Sequence, residues 1–412
     1  MGRNDHGQLG DGTTTNRFYP EMIVPSNVVA VAAGASHSAF LKSDGTLWAM
    51  GYNQQGELGD GTGNDSHVPE QVLVNGRVTG VACGAYDTFF LKTNALWGTG
   101  DNSGGEFGNN TFNPAYSPIQ LQASGVQTIA AGDGFSVRVT TDGSVWTSGL
   151  NYNGQLGNGN PAPQAVPYPV EIVTNQSVFT GAIGIAAGSG HAFYVWFFPG
   201  AQVSLWGWGD DLSGDLGDNN ANVVQNRPVE IYSTGVSAVA GGGDHSLVVK
   251  SDGSLWGMGD NAHNDLGDGT TTERHVPIEI VSSQVTAAAG FYHSLFIKSD
   301  GSLWGMGANE SGQLGDGTSF DVAFPQRIVP PRQLLITNEA VSGLNLSLSG
   351  SNSLSGGYVI VLMTTNLQKV IAQWQPVWTN PIGSGTFSFT ATNVVAPAVP
   401  QRFYILQLEQ IL

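Results

Sequence analysis

Charge is scarce in this chain of 412 residues. Charged side chains make up 11% of it, and 14 Lys and Arg face 32 Asp and Glu, for a net charge of −18. That balance argues against DNA or RNA as a partner, because phosphate binding rests on clustered cations. A single cysteine, Cys83, excludes an intrachain disulfide and a thiolate metal cage. No apolar run reaches 18 residues, so no helix spans a membrane and no membrane insertion is expected. No long segment carries the 3.6-residue period of an amphipathic helix. Also missing are a Gly-x-Ser-x-Gly elbow, a His-Glu-x-x-His pair, an EF-hand loop and a nucleotide-binding glycine fingerprint followed by a helix. We therefore expect no catalytic residues, no metal and no cofactor. What is abundant is glycine, 58 residues without a three-residue period, together with 10 Trp and 18 Phe. A chain that is 40% hydrophobic has enough apolar material for a sizeable core, which excludes wholesale disorder.

Self-comparison organises the rest. A Leu-Gly or Phe-Gly pair starts at Leu9, Leu58, Phe107, Leu156, Leu216, Leu266 and Leu314. Ahead of the last six stand Trp48, Trp97, Trp146, Trp206, Trp256 and Trp304, each ten residues before its Leu or Phe. A Gly-x-x-His element precedes four of these tryptophans, with His37, His191, His245 and His293; Asp87 and Phe135 occupy the histidine slot in two further copies. Apolar runs ending at the glycine predict a first strand, the His-led run a second, and the Trp-led run a third. Asp-Gly turns join the second to the third, expected with positive φ at both turn residues. Short strands recurring about every 50 residues, apolar on both faces, must stack on their neighbours, and a ring of such sheets is a β-propeller.

The segment Ala-Gly-x-x-His-Ser, Lys-Ser-Asp-Gly-Ser-Leu-Trp-Gly-Met-Gly and Gln-Leu-Gly-Asp-Gly-Thr, residues 289 to 318, resembles the regulator of chromosome condensation repeat. The likeness runs from position 1 to about 329 and implies a seven-bladed propeller. Seven Leu-Gly segments face six Gly-x-x-His to Trp hairpins, and Met1-Gly2 matches Met258-Gly259 and Met306-Gly307. We therefore expect six complete blades and one incomplete, in a chain that begins inside a repeat and has lost any signal peptide by truncation. Residues 1–330 are read as the propeller. Residues 331–412, where the repeat stops, read as an all-β module resembling a small C-terminal β-sandwich of secreted bacterial proteins. These resemblances imply a bacterial, extracellular or cell-envelope protein.

The recurring histidines are expected to be structural, each ring bonded to a neighbouring backbone group, because successive blades keep them from converging on one atom. The six repeat tryptophans are expected in the core between blades. The Asp-Gly pairs at Asp11, Asp60, Asp268 and Asp316 read as turn formers. Binding is expected in the loops that vary between repeats. Tyr86, Asp133, Asp244, Phe291 and Tyr292 fall between glycine and histidine. Tyr52 and Tyr152, with Asn102, Asp211, Asn261 and Asn309, follow the Trp-led strand. Phe197 and Phe198 mark an apolar hairpin tip in the aberrant fourth repeat, where Trp208 replaces the usual methionine. A secreted bacterial β-lactamase-inhibiting propeller resembles this family and uses aromatic and acidic loop residues to hold its target. The reading is a non-enzymatic scaffold that binds a cationic or neutral protein through loops on one face. Two alternatives stand beside it: a carbohydrate-active enzyme using channel carboxylates, and the nucleotide-exchange regulation of a small GTPase that the family resemblance implies.

Overall fold

The computed structural model describes residues 1–160, 164–174, 177–178, 182–198, 202–220, 223–282 and 285–328, and beyond these the backbone of six strands. The chain divides into two compact units, Met1–Pro330 and Pro331–Leu412. The first unit is all-β. It holds six four-stranded antiparallel sheets in which the strands pair in chain order. Blade 1 comprises Val28–Ala33, His37–Lys42, Leu47–Gly51 and Ser66–Gln71. Blades 2 to 6 repeat this order over residues 80–122, 126–171, 182–232, 236–281 and 285–327. First strands of consecutive blades touch one another, so they line the hub of a six-bladed propeller.

Register is shared by all blades. His37 pairs with Gly51 and Phe40 with Trp48 in blade 1; His245 pairs with Gly259 and Val248 with Trp256 in blade 5. The turn between them differs from expectation. Gly45 has φ 88°, whereas Asp44 stays outside the positive-φ region. Asp44 instead accepts hydrogen bonds from the Thr46 N–H at 2.9 Å and the Thr46 hydroxyl at 2.7 Å. The aspartate is there as an acceptor rather than for conformational freedom.

Neighbouring blades are joined near the hub by a backbone bond and, at the junctions of blades 1–2, 4–5 and 5–6, by a second bond. The residue after the repeat glycine donates its N–H across the junction: Ala35 to Ala85 O at 3.1 Å, Ala85 to Gly132 O at 3.2 Å, Asp133 to Ser189 O at 3.1 Å and Gly243 to Phe291 O at 2.8 Å. The glycine itself is required by close approach, since a Cβ on Gly34 would stand 2.6 Å from the Gly84 carbonyl oxygen and collide with the His37 ring. The second bond is the histidine's. Nε2 of His37 meets Thr88 Oγ1 at 3.0 Å, that of His191 meets Ser246 Oγ at 2.8 Å, and that of His245 meets Ser294 Oγ at 2.9 Å. The partners are hydroxyls of the next blade rather than backbone groups. Burial holds His37 and His191 down at about 4 and His245 at about 3, so all three are neutral near pH 7.

The chain of junction bonds runs from blade 1 to blade 6. Residues 1–20 add a single antiparallel bridge, Gly2 to Arg17, and no seventh four-stranded sheet forms among the described residues. Beyond residue 330, six strands make two three-stranded antiparallel sheets, one of Leu334–Ser342, Asn345–Asn352 and Thr386–Ala391, the other of Gln375–Pro381, Tyr358–Thr364 and Phe403–Glu409.

The repeat tryptophans pack between blades, but half-buried rather than in the core. Trp256 lies against an apolar cluster that includes Val195, Leu205, Leu216 and Val248, drawn from blades 4 and 5. Where an aromatic residue faces the indole on the second strand, the rings stack: Phe40 on Trp48, Phe90 on Trp97, Tyr194 on Trp206 and Phe296 on Trp304, with centroids 6.2–6.4 Å apart. Each outer edge carries a lysine or another blade residue; Lys42, Lys250 and Lys298 sit 3.8–4.2 Å from the centroids of Trp48, Trp256 and Trp304. Among the described residues the fully buried indole is Trp208, whose N–H donates to Gln155 O at 2.7 Å. Trp256→Ala is expected to cost about 3 kcal/mol, at the low end for a large-to-small change because the ring is half-buried. Chemical denaturation reads this directly, and an unchanged midpoint would show that the indole does not hold the junction of blades 4 and 5.

Candidate interaction face

Because His37 pairs with Gly51, the loop before the second strand and the long loop after the third lie at the same end of each blade. Six of the proposed binding residues, Tyr52, Tyr86, Asp133, Asp244, Phe291 and Tyr292, therefore share one face, and Tyr152 is exposed in the long loop of blade 3 at that end. Two aromatic groups form there. Tyr52 stands 6.0 Å from Tyr86 and 5.0 Å from His6, edge to face. Phe291 and Tyr292 meet at 4.3 Å, and His263 of blade 5 lies 5.5 Å from Tyr292. Phe197 is exposed at the opposite end of its hairpin, so it belongs to the other face. Phe198 ends the same strand, and its side chain lies outside the described residues.

Four residues expected among the variable contacts are structural instead. Asn102, Asp211, Asn261 and Asn309 are fully buried. The side-chain oxygen of each accepts the N–H of the Leu or Phe five residues on, at 2.9–3.0 Å. Asn4, Asn53 and Asn151 do the same for Leu9, Leu58 and Leu156. The amide of Asn53 also donates to Asp60, as Asn261 does to Asp268 and Asn309 to Asp316, at 3.0–3.1 Å. Each long loop is thus cinched on itself from inside. The constant five-residue step from Asn or Asp to Leu-Gly was the signal for this role in the sequence.

A second set of carboxylates lies beneath the loops, at the position before the Leu or Phe. Glu57 and Glu106 reach back to accept the N–H two residues earlier, Gln55 at 3.0 Å and Gly104 at 3.1 Å; Gln155 and Gln313 make the same bond. Asp215 and Asp265 are one methylene shorter. Both are 1% exposed, and Asp215 Oδ1 and both Asp265 oxygens have no hydrogen-bond partner. Burial pushes Glu57, Glu106 and Asp265 up to about 7 and Asp215 to about 9, the last helped by Asp210 and Asp244. At the surface, partial desolvation and then Asp101 raise Asp133, while desolvation and then Asp210 and Asp260 raise Asp244. Of the chain's Lys and Arg, only Arg3 falls in these loops, and it pairs with Asp5 at 2.5 Å. The face is acidic and aromatic. Among the described residues no cluster of His, Cys, Asp and Glu could hold a metal ion.

The fold defines a class, the β-propellers built from a repeated four-stranded sheet. The regulator of chromosome condensation (RCC1) repeat matches residues 1–41, 44–91, 142–195, 252–297 and 300–343, and a second form of that repeat matches 28–57, 126–155, 236–264 and 285–313. The chain belongs to the regulator of chromosome condensation (RCC1) repeat family. Among solved structures it is similar to human WBSCR16, with TM-score 0.70 and 22% identity over 81% of this chain and 94% of that one. It is similar also to Prp20p of Saccharomyces cerevisiae, with TM-score 0.71 and 19% identity over 81% and 87%. No curated protein sequence matches it. The expectation of a bacterial protein, secreted or held in the cell envelope, is corrected by these likenesses, which are to human and yeast proteins.

Blade 4 carries the one acid among the seven cinching residues, and it has a measurable cost. Asp211 is pushed up to about 8, first by burial and then by Asp218, the residue that stands where Asp60, Asp268 and Asp316 accept from an asparagine. A carboxyl whose folded pKa lies above its unfolded value contributes fully below the unfolded value and loses that contribution as pH rises to the folded one. Asp211→Asn removes the loss and supplies the missing donor. We expect it to stabilise the protein by about 2 kcal/mol near pH 8 and by progressively less toward pH 4. Thermal melts across that range test it; a variant that melts lower than the parent at pH 8 contradicts the assignment.

Proposed function

We propose that the chain is a regulatory propeller that binds a basic protein through its acidic, aromatic face, on the pattern of guanine-nucleotide-exchange regulators of small GTPases. The single observation that carries the reading is the convergence at one end of every blade of Tyr52, Tyr86, Phe291 and Tyr292 with Asp101, Asp133, Asp210, Asp244 and Asp260. Aromatic side chains supply buried contact area with a polar tip, and an acidic rim in which Arg3, Arg17 and Arg274 offset Asp5, Asp11 and Asp268 but leave most carboxylates unpaired speeds encounter with a cationic partner. The likeness to Prp20p, whose structure was reported with its binding to Gsp1p and histones, supports a partner of that chemistry. Within this reading, residues 1–20 are the outer part of a seventh unit. Gly312 packs on the Phe18 backbone and Gly7 on that of His67, as Gly214 does on His275. Residues 331–412 are read as a β-sandwich.

Purified Gsp1p and core histones serve as probes, with fluorescent-GDP release as the exchange readout. Binding is expected to weaken steeply with salt and to fall roughly ten-fold or more for Tyr292→Ala and for Tyr86→Ala. It should tighten between pH 6 and pH 8, because the carboxyls held near 7 ionise over that range. Capture that both substitutions leave intact removes this face from the reading. Binding to histones without GDP release keeps the face and rejects the exchange activity.

A further inference from the structure

The junction of blades 2 and 3 departs from the others at one residue. The second-strand position opposite the repeat tryptophan holds Phe40, Phe90, Tyr194, Val248 or Phe296 in the other five blades. In blade 3 it holds Arg138, paired across the strands with Trp146. Two residues on, where four blades place a lysine over the indole, blade 3 has Thr140. An aromatic plug and its covering cation are therefore both missing here. In their place is a cavity of about 480 Å³ lined by Arg138, Trp146, Gln122, Thr140, Thr141 and Ser144, with Asp142 at its rim.

Arg138 is 7% exposed, and its Nε is buried without an acceptor. Its guanidinium makes no hydrogen bond or ion pair with any described residue. Asp142 makes no ion pair with it; its Oδ1 instead accepts from the Ser144 N–H at 3.1 Å, the Ser144 hydroxyl at 2.7 Å and the Thr140 hydroxyl at 2.7 Å. An unpaired buried cation in a repeat position that five other blades fill with an apolar side chain is destabilising by itself. Burial alone draws its pKa down to about 10, with no anion to offset the effect. The Thr140 and Ser144 hydroxyls are committed to Asp142, and Gln122 Nε2 donates to Ser124 O at 2.9 Å, so the lining offers an anionic ligand the guanidinium itself, the Thr141 hydroxyl and the indole face beside them.

We propose that this cavity is a binding site for a small carboxylate, held through the planar fork of the Arg138 guanidinium against Trp146. A guanidinium matches a carboxylate with two parallel N–H···O bonds. The Asp142 charge at the rim repels a dianion more than a monoanion, which favours a carboxylate over phosphate. The site lies at the turn end of blade 3, away from the acidic face, so it stands or falls independently of the interaction proposed above.

Acetate, benzoate and inorganic phosphate, added to the full chain at constant ionic strength and followed by calorimetry and melting temperature, test the site. Benzoate is expected to bind saturably and raise the melting temperature, with affinity falling roughly ten-fold or more in Arg138→Leu. Without ligand, Arg138→Phe, which restores the stack seen in four other blades, is expected to melt at or above the parent; Arg138→Leu is the second check where the larger ring fails to fit. Three results overturn the proposal: no carboxylate binding to the parent, carboxylate binding unchanged in Arg138→Leu, or phosphate binding in place of carboxylate. Unliganded melts of both variants well below the parent also overturn it, since they would make Arg138 a structural element.

Discussion

The propeller depends on the contact between one blade and the next, made at the hub by a backbone N–H crossing to the following blade and, at three junctions, by a histidine ring meeting a hydroxyl. Neither bond is strong alone, a buried neutral hydrogen bond being worth about 1 kcal/mol net. Their effect comes from repetition and from what lies outward of them. Each bond pair sits over an apolar layer contributed by two sheets, as where Phe193, Val195 and Leu216 of blade 4 meet Val248 and Met258 of blade 5. A sheet with two apolar faces has no stable existence unless both are covered. The hub histidines accordingly stay uncharged, because a proton on His191 or His245 would place a cation in a fully buried site facing a neutral hydroxyl.

Charge is sorted along the strand direction. Lys42, Lys92, Lys250 and Lys298 close the second strands at the turn end, each over a tryptophan. The opposite end collects the aspartates and glutamates of the long loops. A molecule with net charge −18 is therefore acidic mainly on one side, and that side is where the aromatic groups gather. Burying Glu57, Glu106, Asp215 and Asp265 behind the surface carboxylates keeps part of the charge protonated near neutral pH. The face can gain negative charge when a cation approaches, by releasing protons it holds in the free state.

The six complete blades, their strand order and their register were legible because they follow from the spacing of glycine and tryptophan, whose roles are steric and recur in each copy, whereas the seventh blade that the family resemblance implied has no four-stranded sheet among the described residues. Gly34 leaves no room for a Cβ, and the Trp256 indole fills the space between two blades, so both leave a fixed trace in the sequence. The hydroxyl partner of the histidine was hidden because it lies one whole repeat away; Thr88 and Ser246 look like ordinary strand residues until the blades are stacked. Asn102 and Asp211 were misplaced among the contact residues for a related reason. A polar residue at a loop start reads as solvent-facing, and only the fold shows it turned inward to hold the loop. Arg138 passed unremarked, since a single cation in a strand becomes informative only against the apolar side chains that occupy its slot elsewhere.

The inward asparagine has a further effect. By closing each long loop through its own backbone, it separates the chemistry of the loop tip from the packing of the sheet that carries it. Tyr52, Asp101, Asp210 and Asp260 occupy one equivalent position above the same bracket, and the bracket is indifferent to which of them is present. Recognition can diversify tip by tip through point substitution, at little risk to folding, which makes such a scaffold readily evolvable toward new targets.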